Sequence, residues 1–130
     1  VLKLRCRKIS KGSASGVALM AKTPLSLFGM VDVKTGLVVD KTHELYMKNV
    51  AGTILVFPYG RGSTVGSYVL YQLAKEGKAP KAIICLEAEP IIAVGAIIAN
   101  IPMVDKPERF EFKNGQKISV DADKGEITVE

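Results

Sequence analysis

The sequence predicts an α/β fold, a small parallel sheet with crossover helices plus an antiparallel sheet layer. The apolar run Thr53-Ile54-Leu55-Val56-Phe57 breaks at Pro58-Tyr59-Gly60-Arg61-Gly62, then turns to helical spacing that Gly77 stops. That is a strand–loop–helix unit. Apolar runs at 81–86 and 101–104 flank an apolar stretch that begins with Pro90. Strand, helix, strand, helix, strand in series calls for right-handed parallel crossovers. Near the end, 117–120 and 126–129 flank Asp123-Lys124-Gly125, which signals an antiparallel hairpin.

Taken in order, residues 1–9 alternate, with Leu2, Leu4 and Cys6 against Lys3, Arg5 and Arg7, which reads as one half-exposed strand. Lys11-Gly12-Ser13 turns the chain into a second strand at 15–21. Residues 22–36, with Pro24, Gly29 and Gly36, read as loop; 37–39 read as a short strand and 43–49 as a turn of helix. In the helix after residue 63, Val65, Gly66, Val69, Leu70 and Leu73 share one face, and Gly66 would let the helix sit close to the sheet. Residues 81–86 are apolar nearly throughout and read as a strand buried on both faces. Pro90 opens the second helix at a first-turn position.

The 130 residues suit one domain, residues 1–130, burying roughly two-thirds of the surface of the unfolded chain. Net charge is +5, but the basic residues are scattered and no aromatic platform interleaves them, so a nucleic-acid partner is not expected. Cys6 and Cys85 have no CxxC companion and the single His43 is far from both, so no metal site is expected in this chain. No signal peptide is visible, and the longest apolar stretch, 91–101, is too short to span a bilayer. The expectation is a soluble, cytoplasmic protein with no membrane partner.

The chemistry concentrates at Gly60-Arg61-Gly62-Ser63-Thr64. Two glycines let backbone approach a ligand closely, a helix N-terminus attracts anions, and Arg61 offers a bidentate fork. The pattern fits a carboxylate or phosphate site. It equally fits a plain helix cap by Ser63. No Lys precedes Ser63 as a Walker loop requires, and Val65 stands where a dinucleotide fingerprint needs its third Gly.

Pro24-Leu25-Ser26-Leu27-Phe28-Gly29-Met30-Val31-Asp32, Thr35-Gly36, Val50-Ala51-Gly52, the block Phe57-Pro58-Tyr59-Gly60-Arg61-Gly62-Ser63-Thr64-Val65-Gly66-Ser67, and Glu87-Ala88-Glu89-Pro90 together resemble the small subunit of the aconitase X group. The resemblance covers about the whole chain, and Gly-Arg-Gly-Ser is its most specific part. It implies the swivelling β/β/α domain of aconitases. It implies a larger catalytic subunit that carries an iron–sulfur cluster, with this chain capping the active site and active only in the complex. The implied reaction is that of a hydro-lyase of archaeal isoprenoid biosynthesis, mevalonate 5-phosphate losing water to give trans-anhydromevalonate 5-phosphate. By position in the motif, Ser63 is the implied general base. Relatives that dehydrate hydroxyproline share the motif.

The candidate catalytic residue is therefore Ser63, and the candidate substrate-binding residues are Arg61, Gly62, Thr64 and Ser26. Ser26, Gly29 and Asp32 lie in a loop that suits either a binding lid or a connector. Ser67 reads as a solvated helix residue. Glu87 and Glu89 precede a helix, where carboxylates favour the N-terminus for structural reasons. His43 reads as a surface residue, and would have to be the carrier if the chain were instead a mobile phosphohistidine domain.

Overall fold

The computed structural model describes residues 1–62 and 65–130. The fold grows from two strands, β4 (Ile54–Phe57) and β5 (Ala82–Cys85), whose every residue is buried. Strands apolar on both faces need a layer on each side. Ile54, Val56, Ala82 and Ile84 face one core, while Leu55, Phe57, Ile83 and Cys85 face the other.

The first core lies between the parallel strands and an antiparallel layer. Strand β3 (Ser13–Met20) joins the two: Ser13 to Val17 pair antiparallel with β7 (Lys117–Asp121), and Ala18 to Met20 pair parallel with β4. Strand β8 (Glu126–Val129) continues the antiparallel layer from β7, and β6 (Met103–Asp105) continues the parallel layer from β5. The second core is roofed by α1 (Gly66–Lys75) and α2 (Pro90–Ile98). Two β layers and a helical layer give the β/β/α arrangement.

Residues 1–9 do not form one strand. The chain makes β1 (Leu2–Arg5) and β2 (Arg7–Ser10), which stand at opposite ends of the eight-stranded order β1-β8-β7-β3-β4-β5-β6-β2. Only Cys6 separates them, so the sheet curls until its edges nearly meet, and Cys6 N–H donates to the Gly125 carbonyl at 2.9 Å across the seam. Alternation alone could not reveal this, because both halves remain extended with the same period.

Four other expectations change. Residues 37–39 form only isolated bridges, Val31 to Val38 and Leu37 to Asn49. Residues 43–49 form hydrogen-bonded turns rather than helix, and Met47 takes a positive φ of 71°, which helix cannot use. The loop after β3 is more than a simple connector: Leu25, Leu27, Met30, Val31, Val38, Leu45 and Val50 are all buried in the helix-side core. The close helix approach also lies elsewhere than expected. A Cβ on Gly66 would meet only Ile91 at 3.5 Å, whereas one on Gly95 would lie 3.0 Å from Ser67 Cα, so it is α1 against α2 that needs a glycine.

The parallel edge is clamped by charge. Asp105 is fully buried, accepts two bonds from the Arg7 guanidinium at 2.8 and 2.7 Å, and accepts the Ala88 N–H at 2.8 Å. This pairing raises the pKa of Arg7. Removing the cation would strand a buried carboxylate, while Asn at 105 keeps one acceptor oxygen, which can still serve Arg7 Nη2 and the Ala88 N–H at the loss of the Arg7 Nε bond. Arg7→Met should therefore lower the melting temperature more than Asp105→Asn; the reverse order in thermal unfolding would contradict the clamp.

Candidate functional site

The site loop leaves the carboxyl end of β4 and is held on both sides. Pro58 ends the strand, and its carbonyl accepts N–H bonds from Leu86 at 3.0 Å and Glu87 at 3.1 Å, which ties it to the end of β5. On the next turn Leu25 N–H donates to the Tyr59 carbonyl and Arg61 N–H donates to the Leu25 carbonyl, both at 3.1 Å, forming a short parallel bridge at Gly60. Irregular backbone is thus given sheet-like pairing where it must hold a shape.

Both glycines of the loop are needed for space or conformation. A Cβ on Gly60 would fall 2.4 Å from Ile92 Cγ1 and 2.9 Å from Glu89 Oε1. Gly62 has φ +109°, and its Cβ would fall 2.7 Å from Ser26 Oγ. The loop is therefore wedged between the Leu25–Ser26 segment and the first turn of α2. Gly60→Ala should destabilise the chain by about 1–3 kcal/mol through overpacking. Urea unfolding checks this, and an unchanged midpoint would show that the wedge is loose.

Of the sequence candidates, the structure brings Ser26, half-buried, against Gly62. Arg61 is exposed beside them, and no carboxylate among the described residues pairs with it. Ser63 and Thr64, and with them the capping role considered for Ser63, lie outside the described residues. Helix α1 is described from Gly66, with Val65 at its N-cap position in αR conformation and no acidic residue in its first turn. Helix α2 differs: Glu89 accepts the N–H groups of Ile91 at 2.9 Å and Ile92 at 2.7 Å, the structural part expected of it. The two helices thus present unlike N-terminal ends. Among the described residues, α2 carries a capping carboxylate and the first turn of α1 carries no acidic residue.

His43 is not simply a surface residue. It is half-buried, its Nδ1 accepts the Leu45 N–H at 3.0 Å, and its Nε2 lies 3.2 Å from Thr23 Oγ1 and 3.3 Å from the Pro24 carbonyl. The Nδ1 lone pair is used, so Nε2 carries the proton. Neither nitrogen offers a lone pair for a phosphoryl group, which counts against the phosphohistidine alternative. His43 instead fixes the turn that leads to Ser26, a role that no local motif signalled.

Burial pushes the Cys6 thiol up to about 11, with Asp105 and Glu126 adding to it. Burial, then Asp105 and Glu89, also raise Cys85, which is buried in β5. Thiolates ligate metals and attack electrophiles, and thiols held protonated do neither well. Among the described residues no three His, Cys, Asp or Glu side chains cluster as a metal set, and no helix is long and apolar enough to cross a membrane. Iodoacetamide at neutral pH should label both cysteines slowly in the folded chain and quickly in urea. Stability should also fall as pH climbs past the ordinary thiol value of 9.0, where the unfolded chain ionises its thiols and the folded chain does not. Fast labelling of the folded chain, or no alkaline loss relative to Cys85→Ala, would contradict the raised values.

With this geometry in hand, the comparisons with known proteins are specific. The family model described as aconitase X swivel domain matches residues 3–129. A protein of Thermococcus sibiricus named phosphomevalonate dehydratase small subunit is 54% identical over 129 residues, covering 99% of each chain. A protein of the same name from Thermococcus kodakarensis is 52% identical over 128 residues, covering 98% of this chain and 96% of that one. The crystal structure of Thermococcus kodakaraensis aconitase X in its holo form superposes with a TM-score of 0.97 at 52% identity, covering 100% of this chain and 99% of that one.

Proposed function

Because the chain belongs to the aconitase X swivel-domain family, we propose that it is the small subunit of a phosphomevalonate dehydratase. It acts in the cytoplasm with a large catalytic subunit, as a hydro-lyase of the mevalonate route to isoprenoids. The observation that carries this reading is the end-to-end identity of 54% to a protein of that name. The wedged Gly60–Gly62 loop supports it from the side of geometry.

In this reading mevalonate 5-phosphate loses a proton from C2 and the hydroxyl from C3, giving trans-anhydromevalonate 5-phosphate and water. Ser63 is the general base that takes the C2 proton. A serine alkoxide is unstable in water, so the base needs donors around it in a closed site, and the α1 end with the adjacent Arg61 supplies positive potential there. Arg61, unpaired by any carboxylate among the described residues, receives a carboxylate or phosphate of the substrate in a bidentate grip. Gly62 contributes backbone at close range, and Ser26 and Thr64 are the further substrate-binding residues of this reading. The positive charge of +5 favours the approach of a substrate that carries both a carboxylate and a phosphate.

The residues of this chain do not fit an iron–sulfur cluster, since Cys6 and Cys85 are held as thiols and stand without a third ligand among the described residues. We place the cluster, whose Lewis acidity would assist departure of the hydroxyl, on the large subunit. That subunit covers the loop end of the sheet, where Tyr59, 48% exposed, and Phe28, 57% exposed, present aromatic surface on the two strands of the wedge. Aromatic residues of this kind are enriched among interface anchors.

Turnover of mevalonate 5-phosphate by the chain co-purified with the large subunit is the test. Ser63→Ala should cut turnover on the order of a hundredfold or more while costing only about 1 kcal/mol of stability. Ser63→Asp should restore any lost capping without restoring turnover. Arg61→Lys should also impair the enzyme, because a point charge replaces a fork. Near-normal turnover in Ser63→Ala would overturn the assignment of the base.

A further inference from the structure

We propose that Glu89 is a positioning residue for the Gly60–Gly62 loop, a role beyond capping α2 that rests on the reading of this loop as the catalytic one. Its Oε1 accepts the Ile92 N–H at 2.7 Å and also lies 2.9 Å from where a Gly60 Cβ would sit, so one oxygen serves the helix and abuts the loop backbone. The side chain is thus a spacer between α2 and Gly60. The turn that presents it is fixed in its own right, because Ala88 N–H donates to Asp105, which Arg7 grips at the parallel edge. From the opposite side the loop is held by the Arg61 N–H bond to Leu25. Arg61 and Gly62 therefore take their position from a fixed wall and the bridge to Leu25.

Capping and spacing make different demands on the side chain. Asp is a good N-cap but retracts the carboxylate by one methylene, leaving a gap beside Gly60. Gln keeps the length and shape but turns one acceptor into a donor, which weakens the cap. If Glu89 positions the loop, Glu89→Asp should keep the melting temperature yet lower kcat by about ten- to a hundredfold, the range expected for sub-ångström to ångström misplacement. Glu89→Gln should lose melting temperature while keeping most of kcat.

The second measurement is amide exchange at Arg61 in the full chain without substrate. Glu89→Asp should speed it and Glu89→Gln should leave it near wild type. Wild-type exchange in Glu89→Asp, or equal losses of kcat in the two variants, overturns the proposal. If wild-type complex fails to dehydrate mevalonate 5-phosphate, the functional reading falls while the exchange measurement still decides whether Glu89 sets the loop.

Discussion

The structure depends on one constraint: β4 and β5 are apolar on both faces and must be covered on both. Burial of Phe57, Ile54, Ile83 and Ile84 to 0% exposure requires a layer against each face of the parallel sheet. The antiparallel strands answer one face and the helices, with the packed loop after β3, answer the other. The site follows from the same constraint. Strands that run parallel in the centre all point their carboxyl ends one way, and the chain that leaves β4 there emerges among the loop after β3 and the first turn of α2. A ligand-facing loop at that end of a parallel sheet is where such folds place their chemistry.

Much of this was legible in the sequence because apolar runs and turn signals are local. The strand–loop–helix unit, the buried strand at Cys85, the helix begun by Pro90 and the final hairpin are written in neighbouring residues. What was not legible is set by distant contacts. The division of residues 1–9 at Cys6 depends on which strand edges lie nearby, and those edges come from β6 and β8 near the far end of the chain. The loop after β3 hid its part in the core because Leu25 and Leu27 are spaced as in a strand while Leu27, Met30 and Val31 are spaced as in a helix, so no single period is sustained.

At the candidate site the composition pointed to the Gly60–Gly62 loop but not to its supports. Arg61 and Gly62 advertise anion chemistry by residue type. The reasons for Gly60 are Ile92 and Glu89, thirty residues away and visible only once α2 is docked. His43 likewise shows its part only when both ring nitrogens meet the Thr23–Pro24 turn and Leu45. Support is shape-dependent, and shape is assembled late in the chain of inference.

The seam at Cys6 bears on how the molecule is made. Strand β1 is completed by Ile127 and Val129, and the Arg7–Asp105 pair closes across 98 positions of sequence. Until those distant segments meet, β1 and β2 keep unpaired edges. Contacts of such long sequence separation also carry the loop-closure cost that slows folding. The swivel domain is thus sealed by its most distant contacts, and loss of β1 or β8 would reopen the sheet.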